Sequence, residues 1–119
     1  MLDWISFAEF NKNLNTSKLV DKFKSINYSQ LFELVRNFEE FIEERKINII
    51  LGSNSINAVA FYLACLNKEA LPLFLSQNIK KSQLQNYINR FSPFSIYSES
   101  LLEVDETSHI SYEYSNLYI

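Results

Sequence analysis

Cys65 and His109 are the only cysteine and histidine in the chain, and such a pair could serve as a nucleophile and its general base. That chemistry needs a thiolate, a base within hydrogen-bond reach and a third group to orient the base. Cys65 falls within the apolar stretch Phe61-Tyr62-Leu63-Ala64-Cys65-Leu66, where a thiol is ordinarily inert packing. No orienting residue or oxyanion donor is identifiable for the dyad. Glu39-Glu40 and Glu43-Glu44 bring four carboxylates close together in sequence. Hard-cation sites draw their oxygens from several segments, so this run reads as the solvated face of a helix. Trp4, Tyr28, Tyr62, Tyr97 and the C-terminal tyrosines could stack on single-stranded nucleic acid, but no basic residues are interleaved among them. Core and rim packing is expected of them instead. Ser53-Asn54-Ser55 precedes a helical pattern and could gather N–H groups around an anion. Plain capping of the helix by Ser53, Asn54 or Ser55 explains the same residues. No catalytic, cofactor-binding or metal-ligating residue is assigned in this chain.

The elements that would position these groups are clearest between Ile47 and Leu75. Ile47-Asn48-Ile49-Ile50-Leu51 suits a strand covered on both faces, as in a parallel sheet. Ile56 to Asn67 is apolar nearly all the way round, which predicts a helix buried on most sides. Leu71-Pro72-Leu73-Phe74-Leu75 reads as a second strand, and two parallel strands joined by a helix make a βαβ unit. Before this unit, a helix is expected from Ser29, its cap, to about Glu44. Leu31, Leu34, Val35, Phe38, Phe41 and Ile42 form its buried stripe. After the unit, Lys80 to Phe91 reads as another helix, stopped before Pro93, and Ser95-Ile96-Tyr97-Ser98 as a third strand. Met1 to Asn15 should hold a short helix. Lys18–Asp21 and Ser25–Tyr28 should form a small hairpin, Leu101 to Thr107 an acidic loop, and His109 to Tyr118 one alternating edge strand. The fold expected is α/β: residues 1–119 as a single three-layer domain, a mostly parallel sheet with flanking helices, a small N-terminal hairpin and a C-terminal edge strand.

Composition narrows the function classes. The chain has 119 residues, nearly half of them apolar, so it can bury one sizeable core. The net charge of -3 and scattered Lys and Arg give no footprint for nucleic acid. No apolar run reaches the roughly 20 residues of a membrane span. The N-terminus lacks the pattern of a secretion signal, and one cysteine cannot form an internal disulfide. A cytoplasmic location is expected, with no membrane partner. Gly52 is the only glycine, and phosphate-cradling loops of the P-loop or GxGxxG kind need several.

Two motifs stand in order. Ile26-Asn27-Tyr28-Ser29-Gln30-Leu31 opens a helix, and Ser53-Asn54-Ser55 is followed by the run from Phe61 through Lys68-Glu69-Ala70-Leu71-Pro72-Leu73. Together they resemble the start of the adenylate-forming enzymes: acyl-CoA synthetases, luciferases and the adenylation domains of nonribosomal peptide synthetases. Residues 80–98 are similar in pattern to the family's next helix and strand, so the resemblance spans roughly residues 18–100. Glu69 stands where the family carries glycine, Ser76-Gln77-Asn78 replaces a proline and aspartate, and Glu44-Arg45-Lys46 shortens a glycine-rich entry.

The resemblance implies an AMP-dependent ligase that joins a carboxylate to a thiol through an acyl-adenylate, using ATP and Mg²⁺. The family's ATP loop, ribose-binding Asp and catalytic Lys have no counterpart here. The expectation is therefore an N-terminal fragment or stand-alone lobe, not competent alone and with no cofactor in this chain. The closeness of the tyrosine motif to Met1 suggests a natural start and an early stop. The expected partner is the remainder of the ligase, or a partner synthetase or carrier protein, with homo-oligomers as a further possibility. Two other classes stay open: a non-catalytic interaction or scaffold module derived from the fold, and a small flavodoxin-like regulatory domain.

Overall fold

Lys18–Val20 (β1) and Ser25–Asn27 (β2) pair antiparallel, Leu19 opposite Ile26, in a two-stranded sheet of their own. The computed structural model describes residues 18–21, 24–52, 55–100, 102, 109–112 and 115–119. The helix expected in Met1–Asn15, the capping roles of Ser53 and Asn54, and the acidic loop apart from Leu102 lie outside the described residues.

Helix α1 (Tyr28–Glu39) follows β2 directly. Its cap is Asn27 rather than Ser29: the Asn27 side chain accepts from Gln30 N, and the Gln30 side chain accepts from Asn27 N, both at 2.9 Å. That reciprocal pair satisfies two free donors at once, which a lone Ser29 cannot do. The helix ends at Glu39, five residues before the expected Glu44. Phe41 N and Ile42 N bond back to Phe38 O and Glu39 O at 3.0 and 3.2 Å. These i→i−3 bonds tighten the exit into a turn, and Ile42 still reaches the core.

β3 (Ile47–Leu51), α2 (Ile56–Asn67), β4 (Leu71–Leu75), α3 (Lys81–Phe91) and β5 (Ser95–Ser98) follow as strand, helix, strand, helix, strand. β3 pairs parallel with β4 on one side and with β5 on the other. The C-terminal segment corrects the expected edge strand. It folds as two strands, β6 (His109–Tyr112) and β7 (Ser115–Tyr118). They form an antiparallel pair, and β7 lies inside the sheet, antiparallel to β5. The order β4-β3-β5-β7-β6 is thus a mixed sheet rather than a mostly parallel one. The alternation of Ile110, Tyr112 and Tyr114 runs on without a break in the sequence and so conceals that two strands form.

The crossovers run in opposite directions along the sheet, β3 to β4 and then back past β3 to β5. Crossovers of one hand then place their helices on opposite faces. α1 and α2 pack over Ile50, Tyr97 and Leu117. α3 packs through Leu84, Tyr87 and Ile88 over Ile49, Leu51, Ile96 and Tyr118. The period-two alternation of β3 and β5 thereby feeds two separate apolar layers. Phe38, Phe61 and Tyr97 fill the centre of the first, Phe61 stacked on Tyr97 at 5.3 Å and Phe38 set edge-on to both.

β4 is an edge strand, and its proline is placed accordingly. Leu71 N bonds to Lys46 O at 2.9 Å, so Leu71, Leu73 and Leu75 turn their backbone groups toward β3. Pro72 and Phe74 then face outward, where a missing N–H removes no ladder bond and blunts the edge.

Candidate functional site

In an open α/β sheet the crevice forms at the carboxyl ends of the strands, where successive crossovers diverge. Here that point lies between β3 and β5, and the buried polar groups of the α1–α2 face gather there. Gly52 leaves β3 against α2 and the end of β5. A Cβ on Gly52 would sit 3.1 Å from Ala58 Cβ and 3.3 Å from Glu99 Oε1, so the absence of a side chain permits the close approach.

Ser55 caps α2, its hydroxyl accepting from Ala58 N at 3.1 Å. The next free amide of the helix, Ile56 N, donates to Asp21 Oδ2 at 2.6 Å. Asp21 comes from the β1–β2 connection, and its other oxygen accepts from Lys24 N at 2.8 Å. Lys24 Nζ donates to Asn57 Oδ1, and Asn57 Nδ2 donates to Ser115 Oγ at 2.9 Å. Hairpin, helix start and β7 are thereby joined through polar side chains. A carboxylate at a helix N-terminus is favoured by the aligned peptide dipoles.

The Tyr97 hydroxyl lies beneath this cluster, buried, with no hydrogen-bond partner among the described residues. Burial raises its pKa above the usual tyrosine value, and the Glu99 and Asp21 carboxylates add to the rise. The hydroxyls of Ser55 and Ser115, near but outside bonding geometry, oppose it. Tyr97 is therefore a neutral O–H donor, and no acceptor for it stands in bonding geometry among the described residues.

Of the residues singled out from sequence, Ser55 and Tyr97 belong to this cluster, and the other described ones fall elsewhere. Cys65 lies in α2, fully buried in the first apolar layer, and burial alone pushes its thiol up to about 12, so it is no nucleophile at neutral pH. His109 sits on β6, stacked on Tyr118 at 4.7 Å and bonded to Asn116 Oδ1 at 2.9 Å. Glu39, assigned to a solvated face, binds the Asn67 side chain and ties α1 to α2. Glu44 pairs at the surface with Arg45. No three His, Cys, Asp or Glu among the described residues are grouped to hold a metal. No helix among them is long and apolar enough to cross a membrane. Tyr62 rests on Phe74 at 5.1 Å and Tyr118 Oη accepts from Leu102 N at 2.7 Å. Trp4 and Tyr114 lie outside the described residues.

Sequence reasoning missed Asp21, Lys24, Asn57, Tyr97 and Ser115 as one cluster. Tyr97 had a legible signal, a polar aromatic near the end of a buried strand. Asp21 had none, because its contact with Ile56 is set by how the hairpin folds back.

No protein-family model matches the chain, and no curated protein matches it.

Proposed function

We propose that this chain is an N-terminal lobe of an AMP-dependent acyl-activating ligase, not catalytically competent alone. The observation that carries this reading is Glu69. It occupies the glycine position of the resembling motif and takes φ 57, the left-handed conformation that glycine supplies most readily. Ala70 N then bonds to Cys65 O at 2.9 Å, and β4 starts at Leu71. The helix thus closes through a left-handed residue, which supports the reading. In this reading the lobe supports an acyl pocket built largely by other segments, while ATP and Mg²⁺ are held by groups beyond those identified here. The chain works in the cytoplasm with the remainder of the ligase, or with a partner synthetase or carrier protein. It also self-associates, through the edge that β6 rather than β7 provides.

One observation favours a second reading, a non-catalytic interaction or scaffold module. The β6–β7 hairpin covers the free side of β5, which a lobe continuing into a larger sheet would leave for the next strand.

Isothermal titration of the chain with ATP and Mg²⁺ is expected to show no low-micromolar binding; such binding would overturn the non-competent lobe. The two readings separate on carboxylate-dependent ATP–pyrophosphate exchange. The lobe reading expects a downstream segment, in the same frame or on a second chain, to restore it. The module reading expects no segment to do so.

A further inference from the structure

A carboxylate already sits on the N-terminus of α2, and it belongs to another part of the chain. Asp21 reaches Ile56 N from the β1–β2 hairpin at 2.6 Å. Two three-residue strands are marginal as an independent unit, so the hairpin's position depends on contacts of this kind.

We propose that the first turn of α2, with the hydroxyls of Tyr97, Ser55 and Ser115, forms a binding site for the carboxylate or phosphate oxygens of a small ligand, and that Asp21 reversibly fills it. Apart from the carboxylates of Asp21 and Glu99, the groups named around the position can donate. Ile56 N points at it. Ser55 and Ser115 each already accept a bond, from Ala58 N and Asn57 Nδ2, so each has its own proton to give. Tyr97, 0% exposed, offers an O–H with no acceptor among the described residues. The Lys24 ammonium is held nearby by Asn57 and retains further donors. Convergent donors at the positive end of a helix, at the divergence point of a doubly wound sheet, are the ordinary means of holding an oxyanion. Replacing Asp21 with an external oxyanion preserves the charge at this point. Glu99 is the opposing neighbour, and it keeps the affinity modest. The site does not rest on the ligase reading, and its test is separate.

The experiment titrates inorganic phosphate, and separately acetate, into the full chain and into Asp21→Ala. The Ile56 amide is followed by NMR, with sodium chloride at matched ionic strength as control. The expected result is a saturable shift in Asp21→Ala, at least about tenfold tighter than in the native chain, and weakened several-fold when Tyr97→Phe is added. Equal affinity in the two chains, the same shift with chloride, or a response untouched by Tyr97→Phe overturns the proposal. If Asp21→Ala loses its cooperative thermal transition, Asp21→Asn replaces it, keeping an acceptor oxygen without the charge. The same difference is then required.

Discussion

Arg45 N donates to Glu69 O at 3.1 Å, and both residues have positive φ, 64° and 57°. The two left-handed positions stand side by side, one entering β3 and the other entering β4. Leu71 N bonds to Lys46 O immediately beyond them and starts the parallel ladder. A side chain in this conformation costs roughly 1–2 kcal/mol, which glycine avoids. Glu69→Gly is therefore expected to stabilise the chain by about 1 kcal/mol in urea denaturation, after its greater unfolded-state entropy is set against the relief. Glu69→Val should destabilise it, because a β-branched side chain tolerates positive φ least. A loss of stability in Glu69→Gly would show that the Glu69 side chain holds the turn.

Tyr97→Phe removes a buried hydroxyl that makes no hydrogen bond among the described residues, while the ring keeps its stacking on Phe61. Leaving such a group unpaired costs about 1–3 kcal/mol. The variant should gain stability by roughly 1 kcal/mol, read as a higher denaturation midpoint at unchanged slope. A loss of similar size would mean that the hydroxyl is paired in solution.

Cys65 should resist iodoacetamide at pH 8 in the native chain and react rapidly in urea, because burial holds its thiol protonated up to about 12. The same shift makes stability depend on pH. Folding keeps the proton, whereas the unfolded thiol releases it near the ordinary cysteine value of 9.0. The contribution is whole below about pH 9 and is lost as pH rises toward 12. Between pH 8 and 10, Cys65→Ala should lose less stability than the native chain, by roughly 1 kcal/mol. Parallel curves would place the thiol in contact with water.

Pro72→Thr restores an outward N–H on β4, beside Leu71 and Phe74, which are 54% and 55% exposed. An unblunted apolar edge invites strand pairing between chains. Light scattering should show a larger average mass for Pro72→Thr than for the native chain at equal concentration. No change would mean that something other than proline guards this side.

Much of the architecture was legible because burial writes itself into composition. Ile47–Leu51 and Ile56–Asn67 are apolar beyond what a half-covered element would need, and both form as read. The end of α1 was not legible, since Phe41 and Ile42 keep the helical spacing while the backbone has already tightened into a turn. The β6–β7 hairpin was hidden for a similar reason: alternation is indifferent to a reversal between 112 and 115, and no Asn-Gly or Asp-Gly marks the bend. The cluster around Tyr97 depends on contacts between residues far apart in sequence, Asp21 with Ile56 and Asn57 with Ser115. Side-chain type alone does not encode such meetings.

Asn48 and Ser95 face each other across β3 and β5, fully enclosed, the serine hydroxyl donating to the amide oxygen at 2.6 Å and the amide nitrogen donating to Lys46 O at 3.0 Å. Apolar neighbours would accept a sliding misalignment of these strands with little penalty, since one aliphatic chain resembles another. This couple does not. Displaced by a single position, each partner would meet hydrocarbon, and Tyr97 would swap faces with Ile96. The pair works as an index mark, giving the central strands one alignment at which every layer closes.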